Sequence, residues 1–292
     1  MTEFLCEYIK NVPDSSEAVN SLAEFYAQLT ETKKQRIEVL KKQFFASERE
    51  FADILDELRR LTEPDNLGYY CLCAVFIMSC YEQTMIIYEN NAISMEIFWN
   101  TAADIFFKMR ECKTVYGVYG TFVASWYADF FKLKRFSFGR LQCECVSFSA
   151  SDCRVNGNIV KTGQRVLNVH IPSCGHIERE DVIKSLDKAY DFFGFEGVMP
   201  VICNSWLLYP DHINLYPEKS RIRKFFDMFQ IISSKNSEEG KFPDGWRVFG
   251  SETEKDKYRD LKEETTLQKN FKKYLLEGKR TGSGLGIMFF QK

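Results

Sequence analysis

Val166-Leu167-Asn168-Val169-His170-Ile171 is a compact run of β-branched and apolar residues ended by Pro172. Pro172-Ser173-Cys174-Gly175-His176-Ile177 then leads into Glu178 to Phe193, where Val182, Leu186, Ala189 and Phe193 share one helical face. Strand, glycine-containing turn and helix in this order make the second half of the chain a layer of mixed sheet and helix. A turn that opens a helix presents unpaired backbone N–H groups and the positive end of the helix dipole, which suits a phosphate or pyrophosphate. The bland reading of the same junction is an ordinary capped helix.

Reading outward, Val201 to Leu208 is a further strand and Ser220 to Ile231 a further helix. Trp246 to Phe249 is a short strand, 260–277 a helix with a Lys-rich outer side, and Ile287 to Phe290 a terminal strand. Upstream, Phe136 to Ser149 alternates apolar and polar residues as strands do, and Asn156-Gly157 is a hairpin turn signal. Residues 121–131 read as one more helix. From residue 14 to about 110 the chain is helical almost without interruption. There Ser47-Glu48-Arg49-Glu50 has capping-box spacing, and Phe51, Ile54, Leu55 and Leu58 make one apolar face. Pro64-Asp65-Asn66 precedes an apolar helix over 67–88, and Ser94 caps another that runs through Met109. The change of texture at Gly117 and Gly120 divides the chain into a helical domain, 1–117, and a sheet domain, 118–292. The fold class is therefore α+β.

Composition narrows the function. The 292 residues include 26 Phe, 14 Tyr and 4 Trp with 27% charged residues, so the chain folds around a large core. With 39 basic against 41 acidic residues, the overall basic field of a dedicated nucleic-acid binder is absent, and no nucleic-acid partner is expected. Met1 to Asn11 carries Glu3 and Glu7 and no apolar run of a secretory signal, so a cytoplasmic setting is expected. Leu67 to Tyr81, the longest uncharged stretch, is too short to span a bilayer, and no membrane partner is expected. The 10 cysteines contain no Cys-x-x-Cys and the three histidines, His170, His176 and His212, no His-x-x-x-His, so free thiols and no metal site are expected.

Candidate chemistry is sparse. Cys203 or Ser205 could pair with His170 as a nucleophile, although neither lies in a nucleophile elbow. Glu144, between Cys143 and Cys145 in a strand, suits a general base if it faces a cleft, and otherwise marks the solvent side of a half-buried strand. Lys279-Arg280-Thr281-Gly282-Ser283-Gly284 has the outline of an acyltransferase pyrophosphate loop, but no helix follows it, and it reads as a turn before the last strand.

Several segments together carry a likeness. Gly139-Arg140-Leu141-Gln142 with Glu144, then Val169-His170-Ile171-Pro172 with Gly175, come first. Val182, Ser185-Leu186 and Phe192-Phe193 follow, then Cys203-x-Ser205-Trp206-Leu207-Leu208 and Ser220-x-Ile222-x-x-Phe225 with Phe229. In this order they resemble a family of bacterial acyltransferases that joins a helical N-terminal domain to a GNAT-like C-terminal domain. The resemblance implies a mixed β-sheet flanked by helices, with acyl-CoA, acetyl or longer, as co-substrate in a wedge between two splayed strands. It assigns Val169 and Ile171 to the strand that pairs with pantetheine, and Ser173, Cys174, Gly175, His176 and Ile177 to the pyrophosphate loop. Val201 to Leu208 becomes the strand that splays away. The implied chemistry is attack of an acceptor amine, on a small molecule or a peptide, on the thioester, with Glu144 or His170 as base and Ser205 as acid. Two departures stand out: the loop lacks Arg/Gln-x-x-Gly-x-Gly/Ala, and helix 220–231 has Phe225, Phe226 and Phe229 where an acid tyrosine is common. A GNAT-like module that binds a protein or an apolar ligand without catalysis is the alternative. The sequence sets no oligomeric state.

Overall fold

The computed structural model describes residues 2–155 and 157–292, and the chain falls into two compact units, Met1–Phe136 and Ser137–Lys292. The first is helical: α1 (Thr2–Asn11), α2 (Ser16–Gln28), α3 (Glu31–Phe45), α4 (Phe51–Arg60), α5 (Asn66–Asn90), α6 (Met95–Tyr116), a 3-10 turn (Ala124–Tyr127) and α7 (Ala128–Phe131). At its centre lies α5, started by Asp65, whose carboxylate accepts from the Gly68 amide at 2.9 Å. It is long and apolar enough to cross a membrane. Its residues from Leu72 to Tyr81 are nevertheless buried on every face, with α2, α3, α4 and α6 packed against it, so the apolarity is that of a core helix. Buried tyrosines still place their hydroxyls: Tyr81 donates to the Thr101 carbonyl at 3.2 Å and Tyr127 to Asp104 Oδ2 at 2.8 Å.

The two units divide at Phe136/Ser137, further along the chain than the change of texture at Gly117. Gly117 is only the left-handed end of α6, with φ +79°. Gly120 is small because a Cβ there would lie 2.6 Å from the Tyr70 carbonyl carbon in α5. Gly117 ends α6 and Gly120 packs on α5, and the chain stays on the same core, where Tyr127 and Phe131 then pack on Tyr81. The 121–131 helix is correspondingly split into the 3-10 turn and α7. The Ser47 capping box is not formed either: Ser47 sits at φ +57° and α4 starts later, after Glu50. α6 runs past Met109 to Tyr116.

β1 (Arg135–Ser137) spans the division. The second unit contains β2 (Gln142–Ser147), β3 (Cys153–Val155), β4 (Asn158–Val160), β5 (Arg165–His170), α8 (Arg179–Phe193), β6 (Met199–Ser205), α9 (Arg221–Phe226), β7 (Gln230–Asn236), α10 (Gly245–Phe249), α11 (Thr266–Leu276) and β8 (Gly282–Phe290). Its main sheet has the order β2-β5-β6-β8-β7, with β5 and β6 parallel and the other pairs antiparallel. Because side chains alternate along a strand, Glu144, Asn168, His170, Ile202 and Ile287 share one face, and Cys143, Val169, Val201, Cys203 and Gly284 the other. On the first face the β3-β4 hairpin packs Phe148, Val155 and Val160 against Val166, Ile202 and Ile287. On the second, Arg165 donates to the carbonyl of Phe193 at the end of α8. The hairpin turn expected at Asn156-Gly157 falls partly outside the described residues, which include Gly157 at φ +84° and the pairing Val155↔Asn158.

Several boundaries shift for physical reasons. Gly282-Ser283-Gly284 is no turn: it is the start of β8, and Gly282, Gly284 and Gly286 clear space for another segment. A Cβ at Gly284 would lie 1.9 Å from the Leu208 carbonyl oxygen, and one at Gly286 2.8 Å from Phe229 Cβ. Leu208 belongs to a 3-10 turn, Trp206–Leu208, that ends β6 short of its expected limit. The helix at Ser220 stops at Phe226, and the β-branched Ile231-Ile232 that follow enter β7. Trp246 to Phe249 is helical, in α10, closed by Gly250 at φ +66°; so short an apolar run has no period to tell the two apart. α11 begins at Thr266, where Thr265 and Gln268 form a capping box.

Gly284→Ala is expected to cost about 3 kcal/mol, since backbone on both sides must move to admit the methyl group. Urea unfolding will show this as a lower midpoint at unchanged slope.

Candidate active site

The antiparallel register of β2 and β5 sets Gln142 opposite His170 and Glu144 opposite Asn168, so Glu144 and His170 are diagonal neighbours on one face. Their side chains meet: His170 Nε2 lies 2.8 Å from Glu144 Oε1, and Asn168 Nδ2 donates to the same oxygen at 2.8 Å. Asn168 Nδ2 also passes 3.3 Å from His170 Nε2. All three are half-buried, the Glu144 side chain 12% and the His170 side chain 19% exposed. A carboxylate accepts only, so His170 Nε2 carries the proton and the basic lone pair is on Nδ1. The arrangement can take up a proton on the imidazole and balance the resulting charge with the carboxylate, while Asn168 fixes the carboxylate's orientation.

The same stretch of β5 stands where the sheet opens. β5 and β6 pair at Leu167↔Val201 and Asn168↔Ile202. Beyond these, Val169 and His170 remain paired to β2, and Cys203, Asn204 and Ser205 to β8. The register between β5 and β6 therefore ends at Asn168↔Ile202, beside Val169. Ile171 lies just past the end of β5.

The loop after β5 is held from outside itself. Arg140, 9% exposed, donates Nη1–H to the Pro172 carbonyl at 2.9 Å, Nη2–H to the Gly175 carbonyl at 3.0 Å and Nε–H to the His176 carbonyl at 2.9 Å. Nη1 also lies 3.4 Å from Cys174 Sγ, and the Arg140 amide donates to Ser185 Oγ at 3.0 Å. No carboxylate among the described residues lies within ion-pair distance of this guanidinium, and burial pushes it below its ordinary value, partly offset by Cys174 and, from further away, by the Asp181 carboxylate. Gly175 sits at φ +121°, a conformation open essentially to glycine alone. Ser173, Gly175 and His176 are exposed; Cys174 and Ile177 are half-buried. The first residue flanking α8, Glu178, makes no side-chain cap.

Other expected residues do not join this group. Ser205 is on the opposite sheet face from His170, and its Oγ accepts from the Leu207 amide at 3.2 Å as the cap of the 3-10 turn. Cys203 is 1% exposed, and burial pushes its thiol up to about 12, so it stays a neutral thiol. His212, fully buried among Trp206, Tyr209, Phe242, Phe271 and Tyr274, bonds through Nδ1 to the Trp206 carbonyl at 2.8 Å. Among the described residues no group of three or more His, Cys, Asp or Glu is placed to hold a metal ion. Asn168 and Arg140 were not singled out by sequence reasoning. Asn168 is polar inside an otherwise apolar strand, and Arg140 stands in the Gly139-Arg140-Leu141-Gln142 segment, but neither signal names a partner.

A mixed sheet whose one parallel ladder, between β5 and β6, stops early, with a helix-opening loop just beyond it, is the architecture of a GNAT-like domain. Residues 135–288 match the family model described as the GNAT-like C-terminal domain, and residues 3–133 that of the N-acyltransferase N-terminal domain. The chain belongs to this two-domain family. Solved structures share its fold. One is an acyltransferase in complex with CoA and 10C-teicoplanin, at TM-score 0.72 and 14% identity, covering 97% of this chain and 86% of the other. A second is an acyltransferase in complex with decanoyl-CoA and teicoplanin, at TM-score 0.70 and 16% identity, covering 96% and 84%. A third is an acyltransferase mutant in complex with octanoyl-CoA, at TM-score 0.70 and 15% identity, covering 95% and 84%. No curated protein matches the chain.

Burial depresses His212 to about 4, which gives stability a signed pH dependence. Between about pH 6.5 and 4 the unfolded chain binds a proton that the folded chain excludes, so this stability is whole above the window and falls as pH drops through it, by about 3 kcal/mol in all. Urea unfolding across that range will show the fall in the wild type, and His212→Phe will lack this part of it while staying within about 1 kcal/mol of wild type at pH 7.5.

Proposed function

We propose that the second unit is an acyl-CoA-dependent N-acyltransferase that passes an acyl group to the amine of a small molecule or a peptide. The observation that carries the reading is the Glu144-His170-Asn168 cluster at the point where β5 leaves β6. The family, and relatives of the same fold that hold octanoyl-CoA, decanoyl-CoA or CoA, support it. The end of the β5–β6 ladder beyond Val169 suits the amides of pantetheine, and the loop from Ser173 to Ile177 suits the diphosphate. Bound acyl-CoA supplies a thioester whose acyl group the acceptor nitrogen takes.

His170 acts as the base: it removes the proton from the acceptor nitrogen as the new C–N bond forms and the C–S bond breaks. Glu144 holds the ring by Nε2 and stabilises the imidazolium, and that proton is then available to the departing sulfur. Asn168 keeps Glu144 aimed at the ring. Cys203 takes no part, being buried, neutral and on the other face.

Calorimetry with CoA and decanoyl-CoA, and release of free CoA with glucosamine or a short peptide as acceptor, test this. Binding is expected, with His170→Ala slowing transfer by about 10²- to 10⁴-fold and leaving decanoyl-CoA affinity unchanged. Absence of any binding at about millimolar ligand would sink the acyltransferase reading and leave a non-catalytic module of the same fold. Glu144→Gln is expected to lower the rate, because the charge that stabilises the imidazolium is gone.

A further inference from the structure

The Arg140 guanidinium is a buried cation whose contacts are three carbonyls and a sulfur. Carbonyl dipoles solvate a cation but do not cancel its charge. The contacts also dictate how the loop faces. In a planar trans peptide the C=O and the next residue's N–H point in opposite directions. With the Gly175 and His176 carbonyls turned onto the guanidinium, the amides of His176 and Ile177 turn away from it. Neither amide donates to a protein acceptor among the described residues. They run directly into the start of α8, whose flanking residue Glu178 supplies no side-chain cap. Successive outward N–H groups of this kind form an anion-binding concavity.

We propose that Arg140 is the residue that builds the diphosphate subsite, its guanidinium drawing the loop carbonyls inward so that the His176 and Ile177 amides serve a nucleotide diphosphate. This rests on the acyl-CoA reading and adds to it a positioning residue that comes from the segment before β2, far from the loop in sequence. The role explains why the loop needs no repeated glycines: its shape is imposed from outside, and only Gly175, at φ +121°, must lack a side chain. It also explains why arginine stands there, since a three-way fork of donors matches three carbonyls where a lysine ammonium on its flexible stem cannot hold them in one plane.

The test compares two ligands on one protein by calorimetry: decanoyl-CoA, which carries the diphosphate, and S-decanoyl-pantetheine, which lacks it. In Arg140→Gln the affinity for decanoyl-CoA is expected to fall about 10- to 100-fold while that for decanoyl-pantetheine stays within about twofold. Arg140→Lys is expected to recover only part of the loss. Because the quantity read is the ratio between two ligands, a reduced folded fraction cancels. Equal losses for both ligands, or no loss for either, overturn the proposal, as does full recovery in the lysine variant. Inorganic pyrophosphate separates the two readings. If the wild type binds pyrophosphate and Arg140→Gln does so at least about tenfold more weakly, the subsite stands even without acyl-CoA binding. If both proteins bind acyl-CoA and pyrophosphate equally, Arg140 is excluded and the acyl-CoA reading survives.

Discussion

The parallel ladder between β5 and β6 stops after Leu167↔Val201 and Asn168↔Ile202, and the rest of the second unit is arranged around that early stop. Each strand continues with its own antiparallel partner, β5 with β2 through His170 and β6 with β8 through Ser205. The sheet thus consists of two antiparallel parts joined by a short parallel seam. Antiparallel pairing is slightly the more stable per residue, so where twist pulls the halves apart it is the parallel seam that gives way. The glycines of β8 reinforce this. Leu208 can press its carbonyl onto Gly284 only because no Cβ is there, and this contact binds the chain beyond β6 to the β8 side. One consequence is structural, the end of the β5–β6 ladder; the other is chemical, since His170 stands just beyond that end.

The polar groups near this seam are divided by sheet face. Glu144, Asn168 and His170 share the face opposite the buried Cys143 and Cys203, whose thiols burial keeps protonated. Two buried thiols on one side and a hydrogen-bonded carboxylate-imidazole pair on the other differ in position by one residue along a strand. A register slip of one residue between β2 and β5 would exchange the faces of the whole β2 set and separate Glu144 from His170. The apolar pattern of Val146 and Val166 against Phe148, Val155 and Val160 holds that register. Packing of the hairpin and geometry of the site are therefore one constraint.

Much of this was legible in the sequence where a period or a stop residue spoke for itself: the apolar 67–88 helix, the strand ending at Pro172, the face of α8. The gap was in what depends on distance. Glu144 and His170 were each recognisable as bases, but their contact follows from strand register, which no local pattern supplies. Ser205 is an acid only by the resemblance, and no local pattern tells that it lies on the face opposite His170, with its hydroxyl oxygen accepting as a cap. Glycine read as punctuation sets a boundary near Gly117, whereas the compact units divide at Phe136/Ser137. Gly120 is instead a contact, its missing Cβ filled by α5.

Glycine misled again at the loop, and for a reason that concerns how a phosphate-binding turn can be built. A chain can expose successive amides by using several glycines, so that the backbone bends freely toward the ligand, or by fastening the carbonyls elsewhere so that the amides have one direction left. The outline with repeated glycines occurs here at Lys279 to Gly284, but those glycines serve close packing inside β8 and open no helix. The loop that does open a helix has Gly175 as its only glycine and takes its shape from Arg140, whose acceptors lie 32 to 36 residues further along the chain. A motif defined by glycine spacing selects the first segment. The rule that picks the second is physical: find the helix start whose preceding carbonyls are already engaged, because its amides then point toward solvent.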